Sequence, residues 1–438
     1  MVATIEAAAF DDEPHTDAVV VPSAALDRSG SRVSPDYWIK IDLRRMEQFE
    51  AIVIGAGPAG STTAYRLARE GARVLLLDKA RFPRDKPCGG AVSVRAMREL
   101  PFDPQPVVER VVDRLELSFC GGRSFLRGSG RPLASMTQRR LLDHFLVEQA
   151  VTVGADFRDG AAVSEISERG ARVDGKWINS ELLIGADGAN GSTARSLDLA
   201  GRPIYGVAFE GNLARGVVDV DRRQSTVVIE LGTIRGGYCW IFPKGDHVNV
   251  GVGGWESTGP TLRRHLKEFC ERRGLEYSKL QDLRGYRLPG RRPGAALARK
   301  RALLIGDAAG LVDPLAGDGM YAAFLSSRLA TEAALDLLAG RVADLEPYAR
   351  SLVSGFGRMF AFAWNAKVAL DRFPRLAFGA ALSPPGWRTL ENVVCGEIRE
   401  PETERGVAGI AVRNFERLVR RAGWPGAEYR SEAGAACR

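Results

Sequence analysis

Three glycines set between a strand and a helix constrain this 438-residue chain more than any other feature. Residues 49–54 (FEAIVI) are a short apolar run suited to a buried parallel strand. They lead into Gly55-Ala56-Gly57-Pro58-Ala59-Gly60 and then an apolar-periodic helix to about Glu70. Gly71 stops that helix. Residues 73–77 (RVLLL) form a second apolar strand that ends on Asp78, 18 residues after Gly60. The span is a βαβ unit of the size that binds a dinucleotide. Gly55 allows the tight turn, Gly57 lets a pyrophosphate approach the backbone, and Gly60 lets helix and strand pack closely. The helix N-terminus supplies oriented N–H groups, and Asp78 stands where it can accept from ribose hydroxyls.

Two later sites repeat the pattern of a strand running into a small-residue loop. Residues 182–185 (LLIG) run into Ala186-Asp187-Gly188-Ala189-Asn190, which alone is merely a turn. Residues 302–305 (ALLI) precede Gly306-Asp307-Ala308-Ala309-Gly310, then Asp313-Pro314-Leu315-Ala316-Gly317-Asp318-Gly319-Met320-Tyr321 and a helix to about Leu338. Asp307 is placed to hold a polyol hydroxyl, and the glycines let backbone N–H groups face a ring carbonyl at a helix N-terminus. The other reading is a glycine-rich loop with a structural aspartate.

The bulk figures exclude several classes. With 45% hydrophobic and 26% charged residues the chain reads as globular, and its length calls for two or three domains. The six cysteines (Cys88, Cys120, Cys239, Cys270, Cys395 and Cys437) form no CxxC pair, so neither a disulfide framework nor a zinc site is indicated, and a reducing cytoplasm fits best. The +7 net charge is spread over dispersed pairs such as Arg222/Arg223, Arg263/Arg264 and Arg291/Arg292, which read as solvated faces. No nucleic-acid signature accompanies them, so an anionic surface, if contacted, would be lipid headgroups at the periphery of a membrane. No apolar run approaches the ~18 residues of a spanning helix. Residues 1–45 read as a disordered leader, and Met46, just before the first strand, is a candidate translation start.

The ordered set GAGPAG with Asp78, Arg139 in an Arg-x-x-Leu-Asp pattern ending at Asp143, GADGAN, and GDAAGLVDP with GDGM resembles the FAD-binding signature of the para-hydroxybenzoate hydroxylase superfamily. The resemblance implies that Gly55, Gly57 and Gly60 face the pyrophosphate of a non-covalent FAD, with Asp78 and Lys79 at the adenosine ribose. It places Arg139 beside the phosphates, Asp187 near both substrate and FAD, and Asp307 on the ribityl chain or pyrophosphate. Gly310 belongs to the same set, and the loop carrying Pro314, Gly317, Gly319 and Met320 would lie against the isoalloxazine.

Two further stretches, Arg84-Asp85-Lys86-Pro87-Cys88-Gly89-Gly90 and Gly237-Tyr238-Cys239-Trp240-Ile241-Phe242-Pro243-Lys244, resemble the geranylgeranyl reductase family. The likeness spans roughly residues 46–395. Asp318 replaces the usual Glu, Ala91 a common third Gly, and Ala316 a common Thr. On the residues alone, Cys88 is either a small buried residue in a tight turn or, as the resemblance implies, a thiol beside the flavin that delivers a proton or positions an alkene. Tyr238, Trp240 and Phe242 are either one face of a core strand or the aromatic lining of an apolar tunnel for a polyprenyl chain. Residues 359–382 fit core or tunnel-covering helices better than a membrane-surface helix.

The fold that follows is α/β: a Rossmann-like (GR2-type) FAD domain assembled from 46–111, 132–198 and 298–340, interleaved with an antiparallel β-sheet substrate domain from 112–131 and 199–297. A helical cap over 341–424 and a flexible tail over 425–438 complete it. The activity implied by the resemblance is saturation of isolated C=C bonds in a geranylgeranyl-type chain carried by a pigment or diphosphate, an ether lipid or a quinone tail. Hydride would come from the reduced flavin and a proton from a nearby acid such as Cys88. No second dinucleotide fingerprint is present, so NADPH visiting transiently, or ferredoxin, would supply electrons. The rival readings are a flavin monooxygenase or halogenase acting on an aromatic, and an FAD-binding protein without turnover.

Overall fold

The computed structural model describes residues 18–22, 38–42, 48–219 and 224–397, and beyond these residues 413, 414, 417, 428, 429, 431, 432 and 435. Its largest sheet has eight strands. Asp156–Arg158, Val74–Leu77, Gln48–Ile54, Lys176–Gly185 and Ala302–Leu304 run parallel in that order, while Gly170–Val173 and Val163–Ser167 extend the sheet antiparallel beyond the first half of Lys176–Gly185. Ala298–Arg299 pairs antiparallel with Ala302–Leu304.

The central strands are apolar on both faces because both faces are covered. Ile52, Val53, Leu75, Leu76, Leu183, Leu303 and Leu304 are fully buried. The first helix, Pro58–Arg69, packs on Met320–Leu338 and on Arg139–Thr152. Register then does the positioning. Ile54 pairs with Leu77, and Gly185 pairs with both Ile54 and Leu304, so four parallel strands end in one row. The residues that follow that row are the GAGPAG loop, Asp78, the GADGAN loop and the GDAAG loop. An open α/β sheet binds its ligand at this carboxyl edge.

A second sheet of seven strands has the order Gln281–Gly290, Ile204–Ala214, His247–Trp255, Tyr238–Pro243, Thr226–Leu231, Arg114–Phe119, Phe125–Gly128. It is antiparallel except at one place. Thr226–Leu231 runs parallel to Arg114–Phe119, because these two strands come from separate passes of the chain and no hairpin joins them. Helix Leu262–Arg272 covers one face, burying Leu262, Leu266, Phe269 and Cys270 against Cys239, Ile241, Val250 and Val252. A three-stranded sheet, Ala91–Ser93, Ala134–Met136 and Arg110–Val112, joins the two larger ones.

After Leu338 the described chain is helical: Glu346–Arg372, Pro374–Leu382 and Pro384–Val394. The apolar stretch 359–382 divides at Pro374. Met359, Phe360, Ala361, Ala363 and Trp364 enter the core, whereas Phe373 and Leu376 are exposed. Within the leader 1–45, the described residues Ala18–Pro22 and Trp38–Asp42 pair as an antiparallel ribbon, and the rest lies outside the described residues. Met46 lies outside the described residues. Of the tail 425–438, expected to be loosely held, residues 428, 429, 431, 432 and 435 are described. Tyr429 is 2% exposed, stacks on Trp364 with ring centroids 6.0 Å apart, and donates its hydroxyl proton to Arg291 O, while Glu432 pairs with the Arg291 guanidinium. One aromatic ring outweighs the polar composition around it.

Tyr429→Ala should therefore cost about 3 kcal/mol, as other buried aromatic truncations do, and Tyr429→Phe about 1 kcal/mol for the lost hydrogen bond. Thermal melting of both variants checks this; equal midpoints would mean that the tail contributes nothing.

Candidate functional site

The glycine loop is built by close approach. Gly55 has φ +107°, and a Cβ there would lie 2.3 Å from Ala186 O; a Cβ on Gly60 would lie 1.8 Å from Gly55 O. Those two positions admit no side chain. Gly57 is different. Only two atoms lie within 4 Å of a Cβ placed on it, the Nη2 atoms of Arg84 at 3.7 Å and Arg139 at 3.9 Å. The open face of the helix N-terminus thus looks onto two guanidiniums, which is a cradle for a diphosphate.

Those guanidiniums are held in place. Arg139 grips Asp143 through Nε and Nη2, both at 2.7 Å, one helical turn away on the same buried face. Arg84 reaches Asp143 at 2.9 Å and Asp78 at 3.5 Å. Asp78 in turn accepts from the Ala56 and Ala80 N–H groups, both at 2.9 Å, so the acid after the second strand closes the glycine loop. Asp143 lies inside the Arg-x-x-Leu-Asp pattern, but nothing in local sequence signals that Arg84 completes the cluster.

A second group forms around Asp307. Tyr286 donates to its Oδ2 at 3.1 Å, Lys86 Nζ lies 3.7 Å from the same oxygen and 4.6 Å from the Tyr286 ring centre, and a Cβ on Gly319 would come within 3.0 Å of Oδ1. Burial pulls the Lys86 ammonium below the usual lysine range, with Asp307 opposing that pull. Burial and Asp307 together push the Tyr286 phenol up.

The Cys88 turn packs directly on the aromatic strand. A Cβ on Gly89 would meet the Phe242 ring at 2.7 Å and Trp240 Nε1 at 3.4 Å. Tyr238, Trp240 and Phe242 share one face, with ring centroids 5.7 and 6.1 Å apart, while Cys239 and Ile241 turn to the helix-covered side. Tyr238 donates to Ala316 O, tying the strand to the Pro314–Met320 loop, and Gly317 lies beside that hydroxyl. Trp240 is buried and donates to Asn249 at 2.8 Å. The Cys88 N–H donates to Glu210 Oε1 at 2.6 Å, and Lys244 Nζ donates to Gly89 O at 2.5 Å and Thr137 O at 2.9 Å. Burial lifts Glu210 to about 7 and lowers Lys244 to about 8. Neither residue follows from a motif role; both become visible only when the strands are assembled.

Not every expected residue faces the same space. Asp187 Oδ2 accepts from Thr193 N–H at 2.9 Å and from its hydroxyl at 2.8 Å, while buried Oδ1 has no hydrogen-bond partner among the described residues; the same loop approaches the glycine loop through Ala186 and Lys86 through Gly188. Lys79 is exposed, one residue beyond Asp78. Met320 buries its side chain with Val92, Leu142 and Phe324, and its N–H is taken by Asp318. Gly310 caps the turn after Asp307 with φ +72°, and Pro314 begins the loop under Tyr238.

Residues 48–328 match the FAD binding domain family. The chain is 32% identical over 352 residues to a menaquinone reductase of Mycobacterium tuberculosis, covering 74% of this chain and 85% of that one. It is 29% identical over 324 residues to the geranylgeranyl diphosphate reductase of Rhodobacter capsulatus, covering 72% and 82%. This chain belongs to the geranylgeranyl reductase family of FAD-dependent oxidoreductases. Two solved structures share the fold. A geranylgeranyl bacteriochlorophyll reductase-like protein of Thermoplasma acidophilum has TM-score 0.67 at 23% identity, covering 84% of this chain and 96% of that one. A flavin-dependent brominase has TM-score 0.70 at 19% identity, covering 86% and 100%. The FAD-binding domain of this reductase family thus sits on the sheet whose carboxyl edge gathers the glycine loops. An open N-terminus facing two arginines suits the cofactor's diphosphate.

Two outcomes follow. Gly60→Ala should abolish FAD retention by wrecking the loop, whereas Gly57→Ala should leave the melting profile near wild type and weaken FAD by on the order of tenfold or more, read by flavin fluorescence titration. The second concerns pH. Because the fold raises the Glu210 pKa from 4.5 to about 7, the folded state resists its ionisation, and stability is lost as pH rises through that window. Glu210→Gln cannot ionise, so it should gain on wild type by up to about 3 kcal/mol between pH 5 and 8. Melting curves at both pH values decide; a pH-independent difference would refute the raised pKa.

Proposed function

We propose that this chain is an FAD-dependent reductase that saturates isolated C=C bonds of a geranylgeranyl or other polyprenyl chain. The observation that carries the reading is the packing of the Cys88-Gly89-Gly90 turn onto the Tyr238–Pro243 strand. One thiol and one aromatic face stand together at the carboxyl edge of the cofactor sheet. The substrates named for its relatives, a geranylgeranyl diphosphate and a menaquinone, share a prenyl chain and differ in the head group.

In this reading the Gly55–Gly60 loop, Arg84 and Arg139 hold the diphosphate of FAD. Asp78 stands at the adenosine ribose, Asp307 with Tyr286 along the ribityl chain, and the Pro314–Met320 loop at the ring. Bound and reduced, FAD supplies a hydride. The chain's own part is the proton. An unactivated alkene cannot carry carbanion charge, so protonation must lead or accompany hydride arrival. The Cys88 S–H bond breaks as a C–H bond forms at the second alkene carbon, and the thiolate recovers its proton from water. Tyr238 and Phe242 flank the chain, with buried Trp240 fixing the floor between them. NADPH or ferredoxin restores the reduced flavin.

Among the described residues no helix is long and apolar enough to cross a membrane. Exposed Phe373 and Leu376 beside Arg372 and Arg375, at the Pro374 break, supply apolar and cationic groups for a peripheral contact with a lipid surface.

The test is an anaerobic assay of dithionite-reduced protein with geranylgeranyl diphosphate and geranylgeranyl lipids, read by mass spectrometry. Gains of two hydrogens per bond are expected. Cys88→Ser should keep FAD and lose about 10²-fold or more in alkene reduction. Substrates returned unchanged, with an oxygen-dependent hydroxylated or halogenated aromatic instead, would replace this reading by the monooxygenase or halogenase one.

A further inference from the structure

Two buried side chains of opposite charge grip the Cys88 turn, and neither lies in a loop that holds the cofactor. Lys244, 2% exposed, stands just beyond the aromatic strand; its ammonium takes Gly89 O and Thr137 O. Glu210, 7% exposed, holds the Cys88 N–H. Glu210 and Trp240 both pair with Gly251, so carboxylate and indole flank one glycine in the row beneath the turn. The turn is thus fastened by its carbonyl on one side and its amide on the other.

The cost of this arrangement is informative. A buried ammonium costs several kcal/mol unless countercharge lies near, and two carbonyl acceptors are neutral. The groups that, when ionised, would support the Lys244 ammonium are Cys88 first, then Glu109 and Glu210. The Gly90 N–H also donates to Cys88 Sγ, at 3.3 Å. A Cβ on that same Gly90 would lie 2.4 Å from Lys244 Nζ, so the amide that points at the sulfur and the ammonium share one glycine.

We propose that Lys244 and Glu210 are a positioning pair that fixes the Cys88 turn and sets the charge on its thiol, Lys244 favouring the thiolate and Glu210 opposing it. This rests on the reading that Cys88 delivers the proton, for which it supplies the missing half: the thiolate left after delivery is held by the ammonium until it is reprotonated. The remaining charged and titratable groups facing the turn are Arg139 with Asp143 from the helix Arg139–Thr152, Glu109 before strand Arg110–Val112, and Tyr238 backed by Asp313 and Asp318. Arg84 and Lys86 stand on the turn's own segment. None of these is altered in the test.

The experiment is the pH profile of Cys88 alkylation by iodoacetamide in the FAD-loaded protein, followed on the Cys88 peptide by mass spectrometry, with exposed Cys120 as internal reference. Lys244→Met should move the Cys88 midpoint up by about one pH unit or more, and Glu210→Gln should move it down, leaving Cys120 unchanged. Midpoints that stay put, or move the same way in both variants, overturn the proposal. Should Lys244→Met fail to retain FAD, the isosteric Glu210→Gln decides alone: a downward shift supports the pair and no shift refutes it. Alkylation needs no prenyl substrate, so a wild-type protein that reduces no alkene would sink the functional reading without moving this result.

Discussion

Much of this structure depends on one steric contact: the first helix pressed onto the first strand through Gly60, where a single extra carbon would lie 1.8 Å from Gly55 O. That approach brings the helix N-terminus over the strand end. It sets Ala186 O against Gly55, locking the second glycine loop to the first, and leaves Gly57 open toward Arg84 and Arg139. The strand register then delivers Asp78 and Asp307 to the same edge. Hydrophobic burial supplies the driving force for this sheet, but the contact decides where its polar consequences fall.

The electrostatics are layered around that edge. At the glycine loop two arginines share the carboxylates of Asp143 and Asp78 and still present a positive face. Toward the second sheet the charges become sparse: Lys86 with Asp307, both partly exposed, then the buried Lys244 and Glu210. Buried charge of this kind is expensive and is found where protonation matters to function. The cationic cluster thus lies at the glycine loops, and the isolated buried charges lie beside the Cys88 turn.

The sheet core, the glycine loops and the paired face of Tyr238, Trp240 and Phe242 were legible in sequence because each rests on local order: apolar runs, glycine spacing, period-two alternation. Arg84, Tyr286, Glu210 and Lys244 were not, since their partners lie 122 residues away for Glu210 and 155 for Lys244, and only sheet register brings them together. Asp187 lies in the loop its motif indicates and spends Oδ2 on Thr193 within that loop. The burial of Tyr429 was not legible either, because composition averages away a single ring.

The parallel pairing of Thr226–Leu231 with Arg114–Phe119 carries a consequence for how the molecule comes into being. These strands are separated by a span that includes the helix Arg139–Thr152 and the strand Lys176–Gly185 of the other sheet. The second sheet therefore cannot close until that excursion has been made and Thr226–Leu231 has followed it. A ribosome releasing the chain in order would hold the Arg114–Phe119 edge unpaired through about a quarter of synthesis, while residues 120–231 of 438 are made. The two sheets are stitched together in chain order as well as in space.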